Sequence, residues 1–138
     1  MKIFVVFAVS IVLVSIFSCP MAMSAPTMPA DLQIVQPEPS LPKELSAFFG
    51  KWEGTLTGND YFVIIEKIDE EKASLYIWRS GDMYGGVGWV RREAQVIKER
   101  GKYTLWFSGI YGITKYTLKG EFLDQAISDR STRLRRVP

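Results

Sequence analysis

From Lys51 to the C-terminus the chain is a series of short runs rich in Val, Ile, Thr, Phe, Tyr and Trp, broken every few residues by Gly, Asn or Asp. That punctuation is the pattern of an antiparallel meander and constrains the fold more than any other feature. Candidate strands cover residues 51–57, 61–68, 73–79, 87–98, 103–108, 113–119, 121–125 and 131–137. About eight such strands bury an apolar interior by curling, and closure also removes the exposed edges that invite aggregation. The expected fold is therefore all-β, a small antiparallel up-and-down barrel. With only about 90 residues to build it, its cavity is expected to be small or absent.

Strand side chains alternate between faces, so Leu75 and Ile77 take one side of the third run while Tyr76 and Trp78 take the other. Both sides are apolar. In the fourth run Val90, Ala94 and Val96 share a face, opposite Trp89, Arg91, Glu93 and Gln95, and Arg92 breaks the apolar register.

The N-terminal third reads differently. Lys2 leads a hydrophobic run that ends in small residues and prolines, the layout of a cleaved secretory signal peptide over residues 1–24 with Ala22-Met23-Ser24 as the small-x-small site. The expected location is periplasmic or secreted. Cleavage there removes the only cysteine, Cys19, and leaves 16 basic against 15 acidic residues, a net charge of +1. That balance makes no case for polyanion binding, so nucleic acid is not an expected partner. Ile16-Phe17-Ser18-Cys19 also resembles a bacterial lipobox, from which Phe17 and Pro20 depart. Acylation of Cys19 would make the product a lipid-anchored envelope protein, and only then is a membrane an expected partner. Residues 25–42 hold Pro26, Pro29, Pro37, Pro39 and Pro42 and read as an extended, mobile linker. Residues 40–50 then read as a short helix capped by Ser40 and stopped by Gly50, with Phe48 or Phe49 able to plug a barrel end. The barrel domain is expected over residues 43–138.

Phe49-Gly50-Lys51-Trp52-Glu53-Gly54 resembles the Gly-x-Trp signature that opens the first strand of lipocalins and the wider calycin group. The resemblance implies that Trp52 closes one barrel end under an arginine of the last strand, for which Arg135 and Arg136 are the candidates. The fuller pattern adds Tyr76-x-Trp78, Gly88-Trp89-x-Arg91 and the terminal Leu134-Arg135-Arg136. Over Phe48 to Val137 it is similar to a family of short lipocalin-like domains in bacterial exported proteins, for which no activity is established. The longer loops and disulfides usual in lipocalins are missing, which argues against a large hydrophobic pocket.

Tyr76, Trp78, Tyr84 and Trp89 flank the glycine-rich stretch between the third and fourth runs, and they are expected to form an aromatic mouth for a small apolar or amphipathic ligand. Arg79, Asp82, Arg91 and Arg92 are placed to frame that opening and suit a carboxylate or phosphate head group. The nearby glycines match no phosphate-loop motif. The chain has no histidine, so the usual metal ligand and physiological-pH base are missing, and no metal or other cofactor is expected. Glu53, Glu66, Asp82 and Glu93 are the carboxylates open to a hydrolase-type acid and base, but no spacing pairs them, and no catalytic residue is assigned. The expected function is thus a non-catalytic binding module for a small ligand of unknown identity. The alternatives are an envelope module that contacts or inhibits another exported protein through its outer barrel face, and a carbohydrate-binding module.

Overall fold

The computed structural model describes residues 26–81 and 88–138. The expected signal peptide, Cys19, Asp82 and Tyr84 lie outside the described residues. A short helix α1 (Lys43–Ser46) precedes eight strands: β1 (Gly50–Leu56), β2 (Asn59–Ile68), β3 (Lys72–Arg79), β4 (Val90–Glu99), β5 (Lys102–Gly109), β6 (Gly112–Lys119), β7 (Phe122–Ile127) and β8 (Arg130–Val137). Each pairs antiparallel with the next, and β8 returns to β1 to close the barrel. The helix is shorter than the sequence suggests, and its N-cap is Pro42 with no side-chain cap, not Ser40.

The interior follows the two-residue alternation. Trp52, Val63, Ile65, Leu75, Ala94, Leu105, Tyr116, Leu123 and Leu134 come from successive strands into one core, each at most 1% exposed. One end is closed by α1 and the segment after it, where Leu45 and Phe48 pack beneath Trp52. Trp52 donates its indole N–H to the Phe48 carbonyl at 2.9 Å. The Arg136 guanidinium lies over the Trp52 ring, 4.2 Å from its centroid, and donates to the carbonyls of Phe49 (2.6 Å) and Ala47 (2.5 Å). Arg135, one residue earlier, faces outward and pairs with Glu53. Adjacent strand residues project to opposite faces, so only one of the two arginines can cover the ring.

The same end explains both glycines flanking Trp52. Gly50 has φ +118°, and a Cβ there would lie 2.8 Å from the Arg136 guanidinium. At Gly54 a Cβ would meet Leu134 Cδ2 at 2.6 Å and the Arg133 carbonyl oxygen at 2.8 Å. The second clash is with backbone, which has no rotamer to escape into. Gly54→Ala is accordingly expected to destabilise the fold by about 1–3 kcal/mol through overpacking at the β1–β8 seam, read as a lower urea midpoint at unchanged slope.

Residues 25–42 were expected to form a mobile linker; of these, residues 27–35 lie as a strap held on the outer face at β2 and beside the start of β4. The β2–β3 ladder shifts register between Ile65 and Lys67, a bulge that places Glu66 out of the regular pairing. Its carbonyl accepts the Val35 amide at 2.8 Å, and its carboxylate accepts the Gln33 amide at 3.0 Å. At the other end of the strap the Trp89 indole donates to the Thr27 carbonyl at 2.7 Å. Prolines at 26, 29, 37 and 39 have no amide to give, so the strap is held at a few points and does not become a ninth strand.

Candidate functional site

Of the four aromatic residues expected at the mouth, Tyr76, Trp78 and Trp89 lie on the outside of the barrel, and Tyr84 lies outside the described residues. Tyr76 and Trp78 share the outer face of β3 with Phe62 and Ile64 of β2, and Tyr76 is only 3% exposed. The Trp89 ring packs edge-on against Tyr76 at 6.4 Å, and Trp78 against Phe62 at 5.6 Å. Arg91 sits over the Tyr76 ring and donates to Glu66 at 2.5 Å. The described members of the cluster therefore pack on the outer face, where Trp89 holds the strap through Thr27. Leu75 and Ile77 occupy the core, and the two-residue repeat leaves Tyr76 and Trp78 no inward position.

Burial alone would raise the Glu66 carboxyl pKa. The bonds from Ser74, the Gln33 amide and Arg91 outweigh it and hold the group below the usual glutamate value. Burial, followed by the neighbouring Asp31 carboxylate, pushes the Tyr76 phenol up. Of the other candidate carboxylates, Glu53 pairs with Arg135 and Glu93 with Lys72, while Asp82 lies outside the described residues.

A concave site lies at the open end of the barrel, formed by the β1–β2, β5–β6 and β7–β8 turns and the ends of β3 and β4. It owes its shape to an incomplete seam. Strand β4 pairs with β5 only through Gln95–Glu99 against Lys102–Trp106, so residues 90–94 and 107–109 lie beyond the paired stretch. A cleft of about 210 Å³ enters through that gap. Val90 and Arg92 line it on the β4 side, Phe107 on the β5 side, and Ile77, Ile127 and Tyr61 further in. A second cleft of about 290 Å³ adjoins it, sharing Arg79, Tyr111 and Ile127. Both fall just below the range of roughly 300–1,000 Å³ that holds drug-sized molecules, which limits an occupant to a small molecule or to one end of a larger one.

Two cations face this space. Arg79 continues the inward register of Leu75 and Ile77, and its guanidinium lies 5.0 Å from the Tyr111 ring centroid. Arg92 occupies the inward position between Val90 and Ala94, and it donates to the Arg91 carbonyl at 3.1 Å. Among the described residues neither has a carboxylate within ion-pair distance. Of the charged residues expected to frame an opening, Arg79 and Arg92 line this cleft, whereas Arg91 lies on the outer face against Tyr76 and Glu66.

Beneath the cleft lies a polar group that the sequence reading missed. The Tyr61 and Tyr116 hydroxyls share a hydrogen bond of 2.8 Å, and Gln125 Nε2 donates to the Tyr61 oxygen at 2.9 Å. Burial drives the Tyr61 pKa up to about 12, with the bonds from Tyr116 and Gln125 and the Arg79 charge pulling the other way. Burial likewise raises Tyr116 well above the ordinary phenol value, so both stay protonated and neutral at physiological pH. Among the described residues Gln125 Oε1 has no hydrogen-bond partner. The available signal was Gln125 itself, a polar residue in the otherwise apolar alternation Leu123-x-Gln125-x-Ile127.

No protein-family model, curated protein or solved structure matches the chain.

Proposed function

We propose that this protein is an exported, lipocalin-like binding barrel that takes a small amphipathic anion at its open end. The observation that carries the reading is the cleft at the splayed β4–β5 seam, where Val90, Ile77, Phe107 and Ile127 supply apolar wall and Arg79 and Arg92 face in without a described carboxylate partner. A guanidinium recognises a carboxylate by paired N–H donors, and a partly apolar surround strengthens that contact. The apolar tail then lies against Ile77, Phe107 and Ile127, and the small volume selects a short tail. Signal-peptide features in residues 1–24 support export, and Gly50-Lys51-Trp52 under Arg136 supports the lipocalin-like assignment.

Calorimetric titration with a series of straight-chain alkanoates and the matching alcohols tests this. Wild type is expected to prefer the acids and to show an optimum chain length. Arg92→Gln is expected to weaken acid binding by about 10–100-fold, the loss of one charge-assisted bond, while leaving the alcohols nearly unchanged. Equal affinity for acid and alcohol, or no loss in the variant, would count against the anionic head group. No binding of any member would remove the ligand site.

A further inference from the structure

Two strand edges meet the cleft without partners. Residues 90–94 pair with β3 on one side, from Val90 opposite Ile77 to Ala94 opposite Ala73, and residues 107–109 pair with β6, from Phe107 opposite Thr114 to Gly109 opposite Gly112. Among the described residues neither stretch has a strand partner on its other side, because the β4–β5 ladder stops at Gln95 opposite Trp106. A strand sends its N–H and C=O groups alternately to its two sides, so each stretch turns backbone donors and acceptors towards the seam. On β4 that edge is open to water: Val90, Arg91 and Glu93 are exposed, and the Arg91 carbonyl is met by a side chain, Arg92 Nη1, at 3.1 Å. An unpaired edge of this kind is a template for one more strand.

The walls leave room for a backbone. Gly88 and Gly109 both line the cleft, one just before β4 and the other at the end of β5. A Cβ built at Gly88 meets nothing within 4 Å, and one at Gly109 meets nothing nearer than 3.5 Å. Neither has a positive φ, so no turn and no packing within this chain calls for glycine at either place. A missing side chain there serves a backbone that comes close from outside. The two edges join at Gln95 opposite Trp106, so a segment running inward from the rim stops short of that point. A chain terminus fits that limit, and an internal stretch does not.

The chemistry of the walls says which terminus. Arg79 and Arg92 bring two guanidinium groups to the cleft, and neither has a described carboxylate partner, so the end they suit is a carboxylate and not an ammonium. A volume of about 210 Å³, walled by Val90, Ile77, Phe107 and Ile127, takes an apolar side chain beside that carboxylate. A fatty acid carries the same head group and an apolar tail, but it has no amide groups to offer the β4 edge. A peptide C-terminus meets the guanidinium groups and the strand edge together.

We propose that the anion taken at the open end is the free C-terminus of a partner polypeptide, which adds as a short strand to the exposed edge of β4, an assignment that rests on the anion reading above. Calorimetry on the full chain tests it with a four-residue acetylated peptide of threonine and valine that ends in leucine. The free acid is expected to bind about tenfold or more tighter than the best straight-chain alkanoate, the worth of a pair of backbone hydrogen bonds, and about 10–100-fold tighter than its C-terminal amide. Two further peptides, N-methylated at adjacent peptide nitrogens, separate the side that faces β4 from the side that does not. One is expected to lose about tenfold and the other to bind as the parent does. Amide exchange followed by NMR is expected to slow within residues 90–94 on binding, and not in β7 or β8. Alkanoates that bind where the peptide does not, equal affinity of the two methylated peptides, or slowing confined to other strands overturns the added strand and leaves the anion site standing. Equal affinity of acid and amide overturns it as well, and if neither peptide nor alkanoate binds, both readings fall.

Discussion

Replacing Trp52 by alanine is expected to lower the free energy of unfolding by about 3–5 kcal/mol, the range for truncating a buried large aromatic side chain. Trp52, in the first strand, is 1% exposed and ties it to two other parts of the chain: the segment after α1 through Phe48, and Arg136 of the last strand. Truncation leaves a void that Leu45 and Phe48 cannot fill without moving the backbone beneath them, and it takes the ring from under the Arg136 guanidinium. Urea unfolding followed by far-ultraviolet circular dichroism measures the loss. A change under about 1 kcal/mol would place Trp52 at the surface and remove the account of barrel closure.

Glu66→Ala should cost about 2–3 kcal/mol, since it removes a carboxylate that accepts from the Gln33 amide, the Ser74 hydroxyl and the Arg91 guanidinium. The cost is limited because Arg91 is half exposed and can turn to water once its partner is gone, whereas Glu66 is 1% exposed. The effect is local as well as global: amide exchange at Gln33 and Val35 should quicken more than exchange in β5 to β7. The folded pKa of Glu66 lies below the ordinary value of 4.5. Its stabilising contribution is therefore fully present above that value and is lost as the pH falls through the folded pKa. The alanine variant should lose that share of the acid dependence, and an unchanged acid profile with unchanged exchange would show that the strap is held without Glu66.

The meander was legible because turns are local. Gly58-Asn59, Gly101 and Gly120 mark places where the chain must reverse, and each observed strand lies within three residues of the run expected for it. The strap was not legible, because a proline-rich segment has no periodicity of its own and its place depends on what the sheet offers. The sign was in β2. Tyr61-Phe62-Val63-Ile64-Ile65 is apolar without alternation, which in a barrel strand means that the outer face is covered too. Tyr76 and Trp78 opposite Leu75 and Ile77 said the same for β3, and a cover from the preceding segment accounts for them better than a ligand mouth. Arg92 was visible as a break in register, yet whether it was a flaw or part of a site depended on the splay between β4 and β5.

By itself, then, the sequence determined the all-β class, the number and order of strands, and the Trp52 end of the barrel, because alternation and turn residues act over a few positions. Tertiary structure alone decided which aromatic residues face the strap, where the seam opens, and that Tyr61, Tyr116 and Gln125 meet across separations of 55 and 64 residues. Those contacts depend on closure, and closure sets register and distance between strands that share no local signal.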